Sequence, residues 1–153
     1  PLLFDGAVWS LGPAALVLGG SGAIPDARAR GALALGRRLV LRLGGDIASW
    51  PQAWPALPPP LSASDSPLGF ALDYAGRADS GDIAALQVRR DETALDARFR
   101  LPALLDWLEA DAAGSPLPPL RGILRTPRVE IAGALLEGVE VEFDDPGIAP
   151  PTP

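Results

Sequence analysis

The sequence predicts a mainly β fold, an antiparallel sheet of many short strands flanked or capped by two short helices. Three observations carry this. Apolar and polar residues alternate with a period of two, as in 125–145 (RTPRVEIAGALLEGVEVEFDD), where Val139, Val141 and Phe143 oppose Glu140, Glu142 and Asp144. The 17 Gly and 18 Pro are interspersed without a collagen-like period and read as punctuation between elements. The 48% hydrophobic content is Leu, Ala, Val and Ile, with 6% aromatic residues and no Met, which excludes general disorder. At 153 residues the chain suits one domain with a real core. That domain is expected over 1–145, followed by an extended, frayed tail at 146–153.

In order, 2–11 (LLFDGAVWSL) and 14–18 are short, Gly-bounded strand segments. Residues 27–35 place Leu33 and Leu35 opposite Arg28 and Arg30, and Gly36-Arg37 turns the chain into 38–44, where Leu39, Leu41 and Leu43 share a face. Asp46 is suited to cap a helix carrying Ile47, Trp50 and Trp54 at spacings of three and four, ended by the Pro-rich run 55–60. Strands resume at 69–76, with Phe70, Leu72 and Tyr74 on one face, then at 83–90 and 93–101, joined by the turn RRDET. In 93–101, Leu95, Ala97 and Phe99 oppose Asp96, Arg98 and Arg100. A second helix runs from Leu101 toward Gly114, with Leu101, Leu104, Leu105 and Leu108 on one side and Pro102 in its first turn. Strand segments 120–126, 128–133 and 138–144 close the domain. Hairpin, Trp-bearing helix and Pro-rich loop thus occur twice, with Trp50 and Trp107 in equivalent places; the repeat lies in layout, not in identity.

Chemistry-bearing motifs are few. With no His and no Cys there is no Ser–His–Asp triad, thiol nucleophile, disulfide or ordinary zinc site. GGSG at 19–22 lacks the Lys and following helix of a phosphate loop, since Pro25 intervenes, and reads as a turn. Glu140 and Glu142 ride one outward strand face instead of converging across a cleft, and Asp144-Asp145 falls far short of a calcium shell. No enzyme, catalytic residue, metal or cofactor is expected. The net charge of −6 argues against nucleic acid and gives no general attraction to an anionic membrane. The basic residues are all Arg, scattered, and read as ordinary solvated strand faces. Trp50 and Trp54 read as plugs for an open end of the sheet, with a partner contact as the alternative.

The runs PPLRGILRTPRVEIAGALLEGVEVEFDD at 118–145, LGFALDYAG at 68–76 and ALQVRRDETALDARFRLPALLDWL at 85–108 resemble the C-terminal region of AsmA-family proteins of Gram-negative bacteria. The resemblance spans roughly 30–145. It implies a periplasmic module of a protein held in the inner membrane by an N-terminal anchor. It further implies a curved, groove- or taco-like, partly open sheet whose apolar lining passes phospholipid acyl chains toward the outer membrane. The chain starts on Pro1 and is expected to be a fragment that lacks the anchor.

The residues lead to a compatible place. An apolar face of this extent must be hidden, at about 25 cal/mol per Å² buried, and two short helices look too small to cover it. Either the sheet folds on itself as a sandwich or filled barrel, or it curls around a ligand such as a lipid tail. The residues expected to face lipid are Leu39, Leu41, Leu43, Phe70, Leu72, Leu95, Phe99, Val139, Val141 and Phe143. Envelope protein partners are expected as well. The rival reading is a structural or assembly module, similar in its Gly-rich β pattern to the type II secretion N protein, with no lipid passage.

Overall fold

Backbone pairing turns the alternating segments into one open antiparallel sheet of nine strands, each bonded to its neighbours in sequence and not closed into a barrel. The computed structural model describes residues 2–6, 8–22, 24–54, 56–57, 59–62, 64–109, 118–131 and 133–148. The strands are β1 (Leu2–Asp5), β2 (Val8–Leu18), β3 (Asp26–Leu35), β4 (Arg38–Ser49), β5 (Leu68–Arg77), β6 (Ile83–Arg90), β7 (Thr93–Arg100), β8 (Leu120–Ile131) and β9 (Ala134–Asp144). Helix α1 (Pro59–Ser62) lies between β4 and β5, and α2 (Leu101–Glu109) follows β7.

Register sorts the side chains, because residues directly opposite one another share a face. Leu2, Leu11, Leu33, Leu41, Tyr74, Ala84, Phe99 and Leu120 form one row from β1 to β8. The adjacent row on that face runs Gly31, Leu43, Leu72, Leu86, Ala97, Gly122 and Phe143. On the opposite face, Arg42, Asp73, Ala85, Arg98, Arg121 and Asp144 stand side by side. One face is therefore apolar and the other polar.

Two short covers complete the core. Near one end of the strands, Leu61 of α1 joins Ala27, Ile47, Leu68 and Val88, with Trp50 and Leu57 packed against them. Near the other, Ile148 joins Tyr74, Ala84 and Phe99, with Leu104 of α2 alongside. Between the covers the backbones crowd on the apolar side. A Cβ on Gly45 would strike the Arg28 carbonyl oxygen, and one on Gly122 the Asp96 carbonyl oxygen. Glycine at these two places lets the sheet bend toward its apolar face.

Several sequence expectations need correction. No helix starts at Asp46, because β4 runs on to Ser49 with Asp46 and Ile47 inside it. Pro51 would have lost a helical hydrogen bond and met a carbonyl four residues back, whereas Ile47 in the strand joins the core. The first helix lies instead within the Pro-rich run, at Pro59–Ser62, where a proline suits the first turn. Trp50 thus occupies a loop and Trp107 a helix. The span 2–11 is two strands with a turn at Gly6, and β2 continues to Leu18 through a bulge between Leu11 and Ala14, where Pro13 has no N–H to offer the ladder. The two segments expected at 120–126 and from 128 onward join in the single strand β8, which ends at Ile131, since Pro127 interrupts the donors without breaking the pairing with β9. In α2, Leu104 packs inward while Leu101 and Leu105 are exposed. The side chain of Leu108 and the expected C-terminus at Gly114 lie outside the described residues. Nor is the start of the tail extended: Ile148 N–H donates to the Asp145 carbonyl at 3.1 Å, and the turn so formed buries Ile148.

Candidate functional site

The ten residues expected to meet lipid all fall on the apolar face, in two adjoining groups of rows. Their surroundings differ. Phe99 is 5% exposed, shut beneath Ile148 with Tyr74 and Ala84. Phe70, Leu72 and Leu95 are half-buried against the two core clusters. Leu39, Leu41 and Leu43 on β4 are also half-buried. Val139 and Phe143 are half-buried on the edge strand β9, where Val141 is exposed.

The most open part of this face is one the sequence did not single out. Exposure rises from β5 toward β1: Leu35 is 39% exposed, Trp9 50% and Leu2 64%. Phe4 and Trp9, paired across the β1–β2 hairpin, bring their rings to 4.5 Å at 34°. Leu16 extends the patch along β2. The site is thus an apolar bed left bare over β1, β2 and the Leu35 end of β3, which passes beneath the two covers from β3 to β8. The signal was present in LLFDGAVWSL, but an apolar run at a chain end does not reveal that nothing packs on it.

The cover at α1 is held by polar contacts on the otherwise apolar face. The Arg90 guanidinium, 7% exposed, donates through one Nη1 to the carbonyls of Leu61 and Ser64, each at 2.8 Å. The Leu61 carbonyl is one that a short helix leaves unsatisfied at its C-terminus, and that of Ser64 lies two residues beyond the helix. Its Nε is buried without a partner. Beside it, Asp91 takes the left-handed conformation at the β6–β7 turn, with φ 50°. Hydrogen bonds from the Ser64 and then the Ser66 hydroxyl, helped by the Arg90 charge, hold the Asp91 carboxyl below the ordinary carboxylate range. Thr93 and Thr126 share a buried hydrogen bond of 3.0 Å nearby; since Thr126 Oγ1 donates to the Arg128 carbonyl, Thr93 is the donor between them.

Trp50 and Trp54 meet edge to face at 4.9 Å, Trp50 half-buried against the core and Trp54 exposed. Trp50 also borders a cleft of about 540 Å³ with the Gly20–Gly22 turn, Asp26 and Gln52. A smaller cleft of about 340 Å³ lies between Trp50, Ser62, Ser64, Asp65 and Arg90. The polar face has a depression of about 520 Å³ over Gln87, Asp96, Arg98, Arg121 and Ile123. Among the described residues no group of three His, Cys, Asp or Glu gathers to hold a metal. The pairs Glu140–Arg125 at 2.8 Å and Asp144–Arg121 engage the acidic residues of β9 as cross-strand ion pairs.

The polar face is not evenly charged. Within β3 to β7 it carries every strand arginine except Arg90, against only Asp26, Asp46, Asp73 and Asp96. The carboxylates concentrate instead on β9, at Glu140, Glu142 and Asp144. Scattered in sequence, the arginines are gathered by strand parity.

No helix among the described residues is long and apolar enough to cross a membrane. No protein-family model, curated protein or solved structure matches this chain.

Proposed function

We propose that the chain is an AsmA-like module of the Gram-negative envelope whose apolar sheet face carries phospholipid acyl chains between membranes. The supporting observation is the bare bed over β1, β2 and the Leu35 end of β3. Leu2, Phe4, Trp9, Leu16 and Leu35 remain exposed although the same rows are buried further along. Apolar side chains aligned without hydrogen-bonding groups suit a saturated or unsaturated hydrocarbon tail and offer no grip on a polar substrate. Burial at about 25 cal/mol per Å² favours occupancy by any tail that covers the bed. No catalytic step enters this reading. Periplasmic location and an inner-membrane anchor belong to the same proposal and rest on the family resemblance.

Lipid extraction and native mass spectrometry of the purified chain test it. Phospholipid is expected to co-purify, and Leu41→Asp or Trp9→Asp to remove it while far-UV circular dichroism stays β-type. Lipid-free wild-type protein with its fold intact would overturn the proposal.

One observation favours an assembly role as a second reading. Among the described residues both β1 and β9 pair on one side only, and open edges accept strands of another chain. That reading predicts loss of function from charge changes at Arg98, Arg100, Glu140 or Glu142, where lipid carriage predicts tolerance.

A further inference from the structure

We infer that the β1–β4 corner of the polar face docks onto an anionic lipid bilayer. Here the face is not polar in the ordinary sense. Val17 is 69% exposed and Leu3 60%, with Val8 and Val40 also exposed on the same side. Interleaved with them are Arg28, directly opposite Val17, and Arg30, directly opposite Ala15. Among the described residues no carboxylate lies within 4 Å of either guanidinium, although Asp46 stands across from Arg28 on β4.

Exposed aliphatics beside arginines that form no ion pair make an interfacial surface. The apolar side chains enter the boundary between headgroups and acyl chains, and the guanidiniums meet lipid phosphates, which their planar fork binds in bidentate fashion. The polar face of β2 to β4 sets Arg28, Arg30, Arg38 and Arg42 against Asp26 and Asp46, and the more distant acidity does not cancel this excess. The carboxylates of β9 lie six strand spacings from β3, about 29 Å at roughly 4.8 Å each, against a screening length of about 10 Å at 0.1 M salt. They also set an orientation, with β1–β4 toward an anionic surface and β9 away from it. A second copy fits this corner poorly, because a two-fold contact would bring Arg28 and Arg30 against their own counterparts. The surface is distinct from the acyl-chain bed, which occupies the reverse of the same strands, and does not depend on it.

Co-sedimentation of the 153-residue chain with vesicles of pure phosphatidylcholine, and of phosphatidylcholine with one-third phosphatidylglycerol, tests the inference. Binding to the anionic vesicles is expected to exceed that to the neutral ones about tenfold or more, and to fall at about 0.5 M salt. Arg28→Gln with Arg30→Gln should weaken it about tenfold or more, and Leu3→Ser with Val17→Ser should weaken it independently. Arg98→Gln, on the same face at β7, should leave it unchanged. The inference is overturned by absence of binding to the anionic vesicles, by equal binding to both kinds, or by binding that survives either double substitution. Circular dichroism of each variant separates lost binding from lost fold, and all the altered side chains except Arg98 are exposed.

Discussion

The Arg90 guanidinium donates to the Leu61 carbonyl at 2.8 Å, joining residues 29 apart in sequence across the apolar face. Through it a four-residue helix, too short to persist alone, is held on the sheet, and Leu61 is kept 2% exposed against Ile47, Leu68 and Val88. Arg90→Ala should remove both donated bonds and leave two carbonyls facing a gap. Charge-assisted bonds of this kind are worth about 1.5–3 kcal/mol each, net of the water bonds they replace; loss of the unpartnered Nε offsets part of this, so a loss of roughly 2–4 kcal/mol is expected in urea denaturation. Arg90→Met should cost less, because it fills the space and removes the unpartnered Nε. Equal effects from the two variants would show that hydrogen bonding, and not packing, is what Arg90 supplies.

The neighbouring Asp91 gives that clasp a pH dependence. The Ser64 and Ser66 hydroxyls lower its pKa in the folded chain. Its stabilising contribution is therefore complete above the unfolded value of about 3.9 and is lost as pH falls through the folded value. Asp91→Asn keeps a residue that tolerates the left-handed turn while removing the charge. The variant is expected to be less stable than wild type at pH 7, with the two denaturation midpoints converging as pH falls below the unfolded value of about 3.9. A gap that stays constant through that fall would assign the effect to the turn itself.

Where the sequence was readable, side chains declared the alternation. Strand 83–90 was found to its ends, because apolar and polar residues alternate visibly and the turn RRDET follows. It failed where alternation loses its markers. In β4 the pattern Leu39, Leu41, Leu43 passes through Gly44 and Gly45, which have no side chain to report a face, and Asp46 then offers a plausible cap. Ile47, Trp50 and Trp54 fit a helical spacing as well as they fit a strand end followed by a loop. The arginine-rich face was hidden for a different reason. Whether Arg28, Arg42 and Arg89 share a side depends on register between strands, which no single segment reveals. The apolar face was legible as a list of residues, but its division into covered and bare parts depended on where α1 and Ile148 come to rest.

Gly122 tests the bend in the sheet. It stands opposite Ala97 on the apolar side, and a Cβ there would strike the Asp96 carbonyl and the Ala97 Cα. Both are backbone atoms of the adjoining strand and cannot rotate away. Gly122→Ala is therefore expected to cost about 2–3 kcal/mol, near the upper range for an overpacked core, despite adding one methyl group to a strand. Guanidinium denaturation measures it. A stabilised variant, as glycine replacement gives where space is free, would mean that the strands are farther apart at this point than described.

Ile148 carries the last prediction, because it ties the end of β9 back to the middle of the sheet. The residue is 3% exposed and packs with Tyr74 on β5, Ala84 on β6 and Phe99 on β7, while its N–H closes the turn from Asp145. Ile148→Ala removes buried carbon with little chance for so short a segment to collapse onto the gap, and a cost of about 2–4 kcal/mol is expected. The location of the loss matters as much as its size. If this turn is the cover for one end of the apolar face, amide exchange should accelerate most in the β5–β7 ladders beneath it. The ladder between β2 and β3, which that cover does not reach, should keep its protection relative to the global stability. Uniform acceleration would mean instead that the sheet opens as one unit and that its covered and bare parts share a single stability.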